Sequence, residues 1–116
     1  MKNILSILFL SVFAVFIIGS NAYSQYSITQ LSNDPCGGNT PQINDNGYVV
    51  WSGSCGTEQN IFLYNGSTTT QLTNDNYNDY YPQINNNNNV VWYKTYSNGR
   101  EEIFLYDGST TTQNFR

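Results

Sequence analysis

Residues 41–51 read PQINDNGYVVW, and the pattern returns 41 positions later as PQINNNNNVVW at residues 82–92. The stretch IFLYNGSTTTQ at residues 61–71 likewise returns as IFLYDGSTTTQ at residues 103–113. This second return is displaced by 42 positions, because the later copy carries one extra residue in an intervening loop. A period of about 40 residues indicates a repeat architecture in which each copy forms one structural unit.

Each copy predicts four short strands joined by turns. The strands predicted in the first copy cover residues 40–45, 47–53, 59–65 and 68–73. Asparagine and glycine between the strands favour tight hairpin turns. The strand cores at residues 48–51 and 61–64 are continuously apolar, which predicts a sheet covered on both faces. The sequence therefore predicts an all-β fold with two four-stranded antiparallel sheets.

A partial third copy precedes the two complete ones. TQLSND at residues 29–34 matches TQLTND at residues 70–75, where the first complete copy ends. We interpret it as the last strand of a unit whose earlier strands are missing from this sequence. Such a strand is an unmatched edge that can pair with another subunit.

The motifs at residues 41–51, 61–66 and 70–74 together resemble the TolB-like β-propeller repeat of secreted and cell-surface proteins. The resemblance implies that each copy is a four-stranded propeller blade and that the chain holds a partial β-propeller of two blades. One departure is the first turn, where Asn-Asp-Asn-Gly and a run of asparagines replace the usual Ser-Pro-Asp-Gly. Propellers of this kind serve as scaffolds, binding platforms and sometimes enzymes, so the resemblance predicts the fold more closely than the function.

The predicted organisation is a signal-peptide helix at residues 1–22, a leading strand and loop at 23–39, blade 1 at 40–75 and blade 2 at 76–116. The apolar run from Ile4 to Ile18 follows a positive charge and ends before the small-x-small pattern Ser20-Asn21-Ala22. It is shorter than the roughly 20 residues of a membrane span. An uncleaved anchor helix is the alternative. We expect a secreted, periplasmic or cell-surface protein that is free of the membrane after cleavage.

The charge balance disfavours nucleic acid as a partner. The chain has four basic and eight acidic residues, with a net charge of −4 and no histidine. No basic patch is available to neutralise phosphates.

Cys36 and Cys55 flank the first predicted hairpin, and a secreted protein is expected to pair them as a disulfide. Free buried thiols are the alternative. The second copy places Tyr77 and Tyr96 at the equivalent positions, so an aromatic pair is expected to replace the disulfide there.

Oxygen-bearing side chains are dense at residues 74–79, and calcium prefers such ligands. The stretch lacks the glycine and closing glutamate of an EF-hand loop, so we favour a turn capped by its own side chains. Whether calcium binds is left open by the sequence. No metal site and no cofactor are predicted.

No catalytic residues are predicted. The chain has no histidine, and Glu58 recurs as Glu101 or Glu102 in the second copy, which indicates a structural role in each unit. The chain is therefore expected not to be an enzyme.

The candidate binding surface is a rim rich in tyrosine and asparagine, formed by the loops between the units and by residues 93–98. Tyrosine suits contact with proteins or glycans, because its ring offers apolar area with one hydroxyl and little entropy to lose. The candidate binding residues are Asp75, Asp79, Tyr80, Tyr81, Tyr93 and Tyr96.

A stack of two units leaves two open flanks, whereas repeat stacks need about three units to bury their faces. The leading hypothesis is a non-enzymatic extracytoplasmic binding or scaffold module whose partners are proteins, including copies of itself that complete a ring. The alternative is a truncated fragment of a larger secreted propeller enzyme, such as a polysaccharide lyase or a peptidase.

Overall fold

The computed structural model describes residues 25–32 and 36–113, and these residues form strands and connecting turns. The predicted signal-peptide helix at residues 1–22 lies outside the described residues. No helix within the described ranges is long and apolar enough to cross a membrane. The eight strands are β1 (Asn39–Ile43), β2 (Val49–Gly53), β3 (Asn60–Tyr64), β4 (Thr69–Gln71), β5 (Asn78–Ile84), β6 (Val90–Thr95), β7 (Glu101–Tyr106) and β8 (Thr111–Gln113).

The strands form two separate antiparallel sheets of four strands each. Sheet 1 has the order β1-β2-β3-β4, and sheet 2 has the order β5-β6-β7-β8. Every strand pairs with its neighbour in sequence, so each sheet is a simple meander. The predicted all-β fold with two four-stranded antiparallel sheets is confirmed, and in sheet 1 the strands are mostly shorter than predicted at their ends.

An asparagine side chain shapes the first turn of each sheet. The Asn44 Oδ1 atom accepts hydrogen bonds from the backbone amides of Asn46 (3.1 Å) and Tyr48 (2.9 Å). Asn85 makes the same two bonds in sheet 2, to Asn87 (3.0 Å) and to the residue before β6 (2.9 Å). Asparagine favours such local bonds over a continuing strand, which is why both hairpins turn at this position.

The turn between the last two strands of each sheet uses a similar device. In sheet 1, Asn65 Oδ1 accepts from the amides and hydroxyls of Ser67 and Thr68. In sheet 2 the equivalent residue is Asp107. Hydrogen bonds from the amides and hydroxyls of Thr110 and Ser109 to its carboxylate lower the pKa of Asp107 to about 2. Both turns therefore hold the short outer strand in place by side-chain capping.

The hydrophobic core lies between the sheets. Val50, Ile61 and Leu63 of sheet 1 pack against Val90 and Trp92 of sheet 2. Strands β1, β2 and β3 all contact β5, the first strand of the second sheet. Since each sheet is a single layer, the apolar face of one sheet is buried by the other.

The opposite face of sheet 1 carries an aromatic stack. Trp51 and Phe62 are partners across β2 and β3, and their rings stack with centroids 5.7 Å apart. Trp92 and Phe104 repeat this pair in sheet 2 at 5.9 Å, where they face the core. In sheet 1, Leu31 and Ser32 of the leading segment line a groove with Trp51, which is 5% exposed. Both faces of sheet 1 are thus covered in part, as its continuous apolar strands predict.

The outward face of sheet 2 has no such cover among the described residues. Val91, Ile103 and Leu105 are 38%, 55% and 36% exposed, and they lie on one face of strands β6 and β7. Their counterparts in sheet 1 are Val50, Ile61 and Leu63, whose exposure is 0%, 0% and 7%. The same residue types are therefore buried in one repeat and open in the other. We call the exposed surface formed by Val91, Ile103 and Leu105 the open face.

This difference predicts unequal costs for one substitution at two equivalent isoleucines. Ile61→Ala removes buried methyl groups from the core and should lower the free energy of unfolding by about 2–5 kcal/mol. Ile103→Ala should lower it by less than about 1 kcal/mol, because the side chain is more than half exposed. Urea unfolding of both variants in dilute solution measures the two costs. Equal costs would contradict the arrangement of the two sheets.

Candidate functional site

Three of the predicted binding residues form an aromatic cluster. The ring centroids of Tyr80 and Tyr93 lie 5.7 Å apart, and Tyr81 lies 5.5 Å from Tyr93 and 6.3 Å from Tyr80. These separations are typical of interacting aromatic pairs. Desolvation raises the pKa of Tyr93, and the neighbouring Tyr81 and Glu101 add to the rise. The Tyr93 hydroxyl therefore stays protonated at neutral pH and can donate a hydrogen bond.

A β-bulge turns Tyr81 outward. The pairing of β5 with β6 shifts register between Tyr80 and Gln83, and Tyr81 has a φ of 49°. Thr40, its equivalent in sheet 1, has the same φ and lies within the same kind of register shift. A left-handed backbone is unfavourable for both residue types, so the surrounding strands must impose it. The repeat thus places a strained position at the same point of each sheet.

A groove of about 230 Å³ adjoins the cluster where the two sheets meet. Sheet 1 contributes small polar side chains to it, and sheet 2 contributes tyrosine rings. The lining residues are Asn39, Thr40, Ser52, Gln59, Tyr80 and Tyr81. Amide and hydroxyl groups beside aromatic rings suit a partner that has both apolar and hydrogen-bonding groups.

The predicted binding acids Asp75 and Asp79 converge on Lys94. Asp79 is fully buried, and its Oδ1 atom accepts a hydrogen bond of 2.7 Å from Trp92 Nε1. The Lys94 Nζ atom lies 3.9 Å from that same oxygen and is bonded to Asp75 Oδ2. It also lies 4.8 Å from the centre of the Phe104 ring. These contacts tie β5 to β6 and the preceding loop, so Asp79 serves the interior, whereas Asp75 reaches Lys94 from an exposed position.

The last predicted binding residue, Tyr96, pairs with Tyr77. Their ring centroids are 4.7 Å apart, and the Arg100 guanidinium lies 4.7 Å from the Tyr96 ring. At the equivalent place in sheet 1, Cys36 and Cys55 form a disulfide with Cα atoms 4.1 Å apart. The predicted disulfide is confirmed, and an aromatic pair takes its place in the second repeat. The disulfide fits an oxidising environment outside the cytoplasm.

The sequence interpretation missed a polar contact between the first turns of the two sheets. The Asn44 Nδ2 atom donates to Asn85 O at 2.9 Å and to Asn88 Oδ1 at 2.7 Å. Asn46 Nδ2 donates to Asn86 O at 2.7 Å and to Asn88 Oδ1 at 3.1 Å. Bonds in both directions between Asp45 and Asn86 complete the contact. We call this set of bonds the turn contact.

The turn contact accounts for the asparagines at positions 44, 46, 86 and 88. One amide carries both an acceptor and two donors. Its oxygen can therefore cap its own turn while its nitrogen reaches the next turn, as Asn44 does. The signal was present in the repeat, because both turns are rich in asparagine, but turn chemistry alone accounted for each turn separately.

Asp75, Glu58 and Glu102 have local partners. Asp75 Oδ1 accepts from the amide of Tyr77 at 3.1 Å, which caps the loop at the oxygen-rich stretch. Glu58 accepts from the Thr57 hydroxyl at 2.6 Å, and Glu102 pairs with Arg100 at 3.0 Å. Within residues 25–32 and 36–113, no three acidic or cysteine side chains are grouped so that they could hold a metal ion.

Comparisons of the chain with protein-family models, curated proteins and solved structures found no match.

The buried carboxyl of Asp79 predicts a pH dependence of stability. Burial raises the pKa of Asp79 above its ordinary value of 3.8, and the charge of Lys94 opposes the rise. Its contribution to stability is then present below pH 3.8 and is lost as the pH rises through the raised pKa. Asp79→Asn keeps an acceptor for Trp92 but does not titrate.

We therefore expect the unfolding free energy of the wild type to fall relative to that of Asp79→Asn as the pH rises from about 4 to about 7. Chemical denaturation of both proteins across this range measures the difference. A difference that stays constant, or that grows in favour of the wild type, would contradict the assigned direction of the pKa.

Proposed function

We propose that this protein is a non-enzymatic binding or scaffold module of the β-propeller type that acts outside the cytoplasm and whose partners are proteins, including further copies of itself. The open face of sheet 2 is the observation that carries the proposal. Its three apolar side chains repeat the three that sheet 1 buries against sheet 2.

The chemistry of the open face favours a protein as the partner. Full burial of a valine, leucine or isoleucine side chain contributes about 1.5–3 kcal/mol. Val91, Ile103 and Leu105 offer no hydrogen bonds from their side chains, whereas a sugar needs several. Contiguous exposed apolar surface with a polar rim is typical of protein-binding sites.

The aromatic cluster extends this surface at one end. Tyr93 and Ile103 are partners across β6 and β7, so the tyrosine lies on the same face as the aliphatic side chains. Tyrosine is enriched at protein interfaces, because it combines a large apolar ring with a hydroxyl at its tip. The surface proposed for binding thus joins the open face to Tyr80, Tyr81 and Tyr93.

The extracytoplasmic location is supported by the Cys36–Cys55 disulfide, since such bonds persist mainly in oxidising compartments. The resemblance of the two repeats to propeller blades is supported by the four-stranded meander of each sheet and by their face-to-face packing.

A charged side chain on the open face should prevent assembly. In protein that begins at Tyr23, without the predicted leader, Ile103→Lys should shift the mass measured by light scattering from an assembly to a single subunit. The residue is 55% exposed, so the isolated subunit should keep its fold. Ser97→Lys adds the same charge in the exposed β6–β7 turn and should leave the assembly intact.

Circular dichroism of each variant controls for folding. The proposed self-association is contradicted if the wild type, Ile103→Lys and Ser97→Lys all have the mass of one subunit at every concentration.

A further inference from the structure

The contact between the two sheets has a direction. At the turn contact, the side-chain nitrogens of Asn44 and Asn46 belong to the first turn, and all the oxygens to which they donate belong to the second. In the core, the face of sheet 1 that carries Ile61 meets the face of sheet 2 that carries Trp92. Each sheet therefore has two different contact faces. The forward face, which carries Ile61 in sheet 1, packs against the following sheet. The receiving face, which carries Trp92 in sheet 2, packs against the preceding sheet.

Sheet 2 repeats the forward-packing surface of sheet 1. Asn85 and Asn87 stand where Asn44 and Asn46 stand in the first turn. The Asn85 Oδ1 atom caps its turn as Asn44 Oδ1 does, so the shared geometry orients the side-chain nitrogen in the same way. The nitrogens of Asn85 and Asn87 make no hydrogen bond to any described residue. They lie at the turn end of the same sheet whose open face is exposed.

Sheet 1 repeats the receiving surface of sheet 2. Ile43, Val49 and Trp51 stand where Ile84, Val90 and Trp92 receive sheet 1. Ile43 is 69% exposed, although its counterpart packs against the core, whereas Trp51 is only 5% exposed within the chain itself. The described chain thus ends in two different surfaces, and each matches one half of its own internal interface.

We propose that the open face of sheet 2 binds the receiving face of sheet 1 in a second copy of this chain, head to tail, with Asn85 and Asn87 donating to the copy's Asn44–Gly47 turn. This inference rests on the proposed function and names the occupant of its binding surface. The contact is heterologous, because the two surfaces differ, and it leaves one free surface of each kind at the ends of the assembly. Repetition of the contact extends the stack or closes it into a ring.

The contact within the chain and the proposed contact between copies both pair large side chains with small ones, but on opposite sides. Within the chain, Ser52 and Thr40 of sheet 1 face Tyr80 and Tyr81 of sheet 2 across the groove. Between copies, Tyr93 replaces Ser52 on the forward side, and Thr40 replaces Tyr81 on the receiving side. The aromatic bulk moves from one side of the contact to the other.

The leading segment repeats the residues that follow β4. Gln30 Nε2 donates to Ser32 O at 2.6 Å, and Gln71 Nε2 donates to Thr73 O at 2.8 Å at the equivalent place. Leu31 stands where Leu72 packs against the core between the sheets, and it lines a groove with Trp51. The leading segment thus brings an apolar side chain to the receiving face of sheet 1.

The predicted contact lacks one acceptor of the internal one. Asn88 Oδ1 accepts from both Asn44 and Asn46, but its counterpart in the first turn is Gly47, which has no side chain. Gly47 has a φ of 76° and Asn88 a φ of 64°, so asparagine adopts this backbone in the same protein. A Cβ at Gly47 would have open space around it. A left-handed backbone is unfavourable for side chains in general, but asparagine tolerates it better than most residues, so Gly47→Asn should restore the acceptor and keep the turn.

The test is the dissociation constant of the assembly, measured by sedimentation velocity on protein that begins at Tyr23. Gly47→Asn should lower this constant roughly threefold to tenfold, because it adds a hydrogen-bond acceptor at the contact. Gly47→Ala is the matched control. It adds a side chain without an acceptor and should not tighten the assembly.

Thermal unfolding of each variant verifies the fold. The inference is overturned if the wild type does not associate, or if Gly47→Asn and Gly47→Ala have the same dissociation constant. If Ile103→Lys abolishes an assembly that Gly47→Asn does not tighten, self-association through the open face stands and the head-to-tail contact is wrong.

Discussion

Sheet 1 and sheet 2 each bury one apolar face against the other. Each sheet is a single layer of four short strands, and such a layer cannot bury its own apolar side chains. Val50 and Ile61 of sheet 1 become fully buried only because sheet 2 lies against them with Val90 and Trp92. The buried Asp79 depends on the same contact through Trp92, whose ring nitrogen donates to its carboxylate.

Two repeats with the same strands stabilise the end of the first hairpin by different means. In sheet 1, Cys36 and Cys55 are linked covalently, and the backbone at Gly53 approaches Gly37 so closely that a Cβ would overlap its carbonyl oxygen. In sheet 2, tyrosines replace the cysteines, and the position equivalent to Gly53 holds Lys94, which contacts the buried Asp79 and the exposed Asp75. Sheet 1 therefore stabilises this position with a covalent crosslink and close backbone packing. Sheet 2 stabilises the equivalent position with aromatic rings and ion pairs.

The period and the strand residues predicted most of the architecture, because hairpin meanders are local and the turn residues mark their ends. The pairing of Cys36 with Cys55 and of Tyr77 with Tyr96 was also predicted, since both pairs flank one hairpin. Contacts between sheets could not be predicted in the same way. The sequence does not show that Asn44 reaches across to Asn88, or that Lys94 meets the two acids, because these contacts depend on how the layers are stacked. The residues predicted for binding divide accordingly, with the tyrosine cluster at the surface and Asp79 inside.

Native-state hydrogen exchange is the most direct test of a core shared between the sheets. If neither sheet has a core of its own, the slowest amides of β2 and β3 and those of β6 and β7 should exchange through one opening reaction, with the same free energy and the same dependence on denaturant. This result is predicted for dilute protein that begins at Tyr23. If one sheet loses its protection at clearly lower free energy while the other sheet stays protected, the two sheets do not share one core.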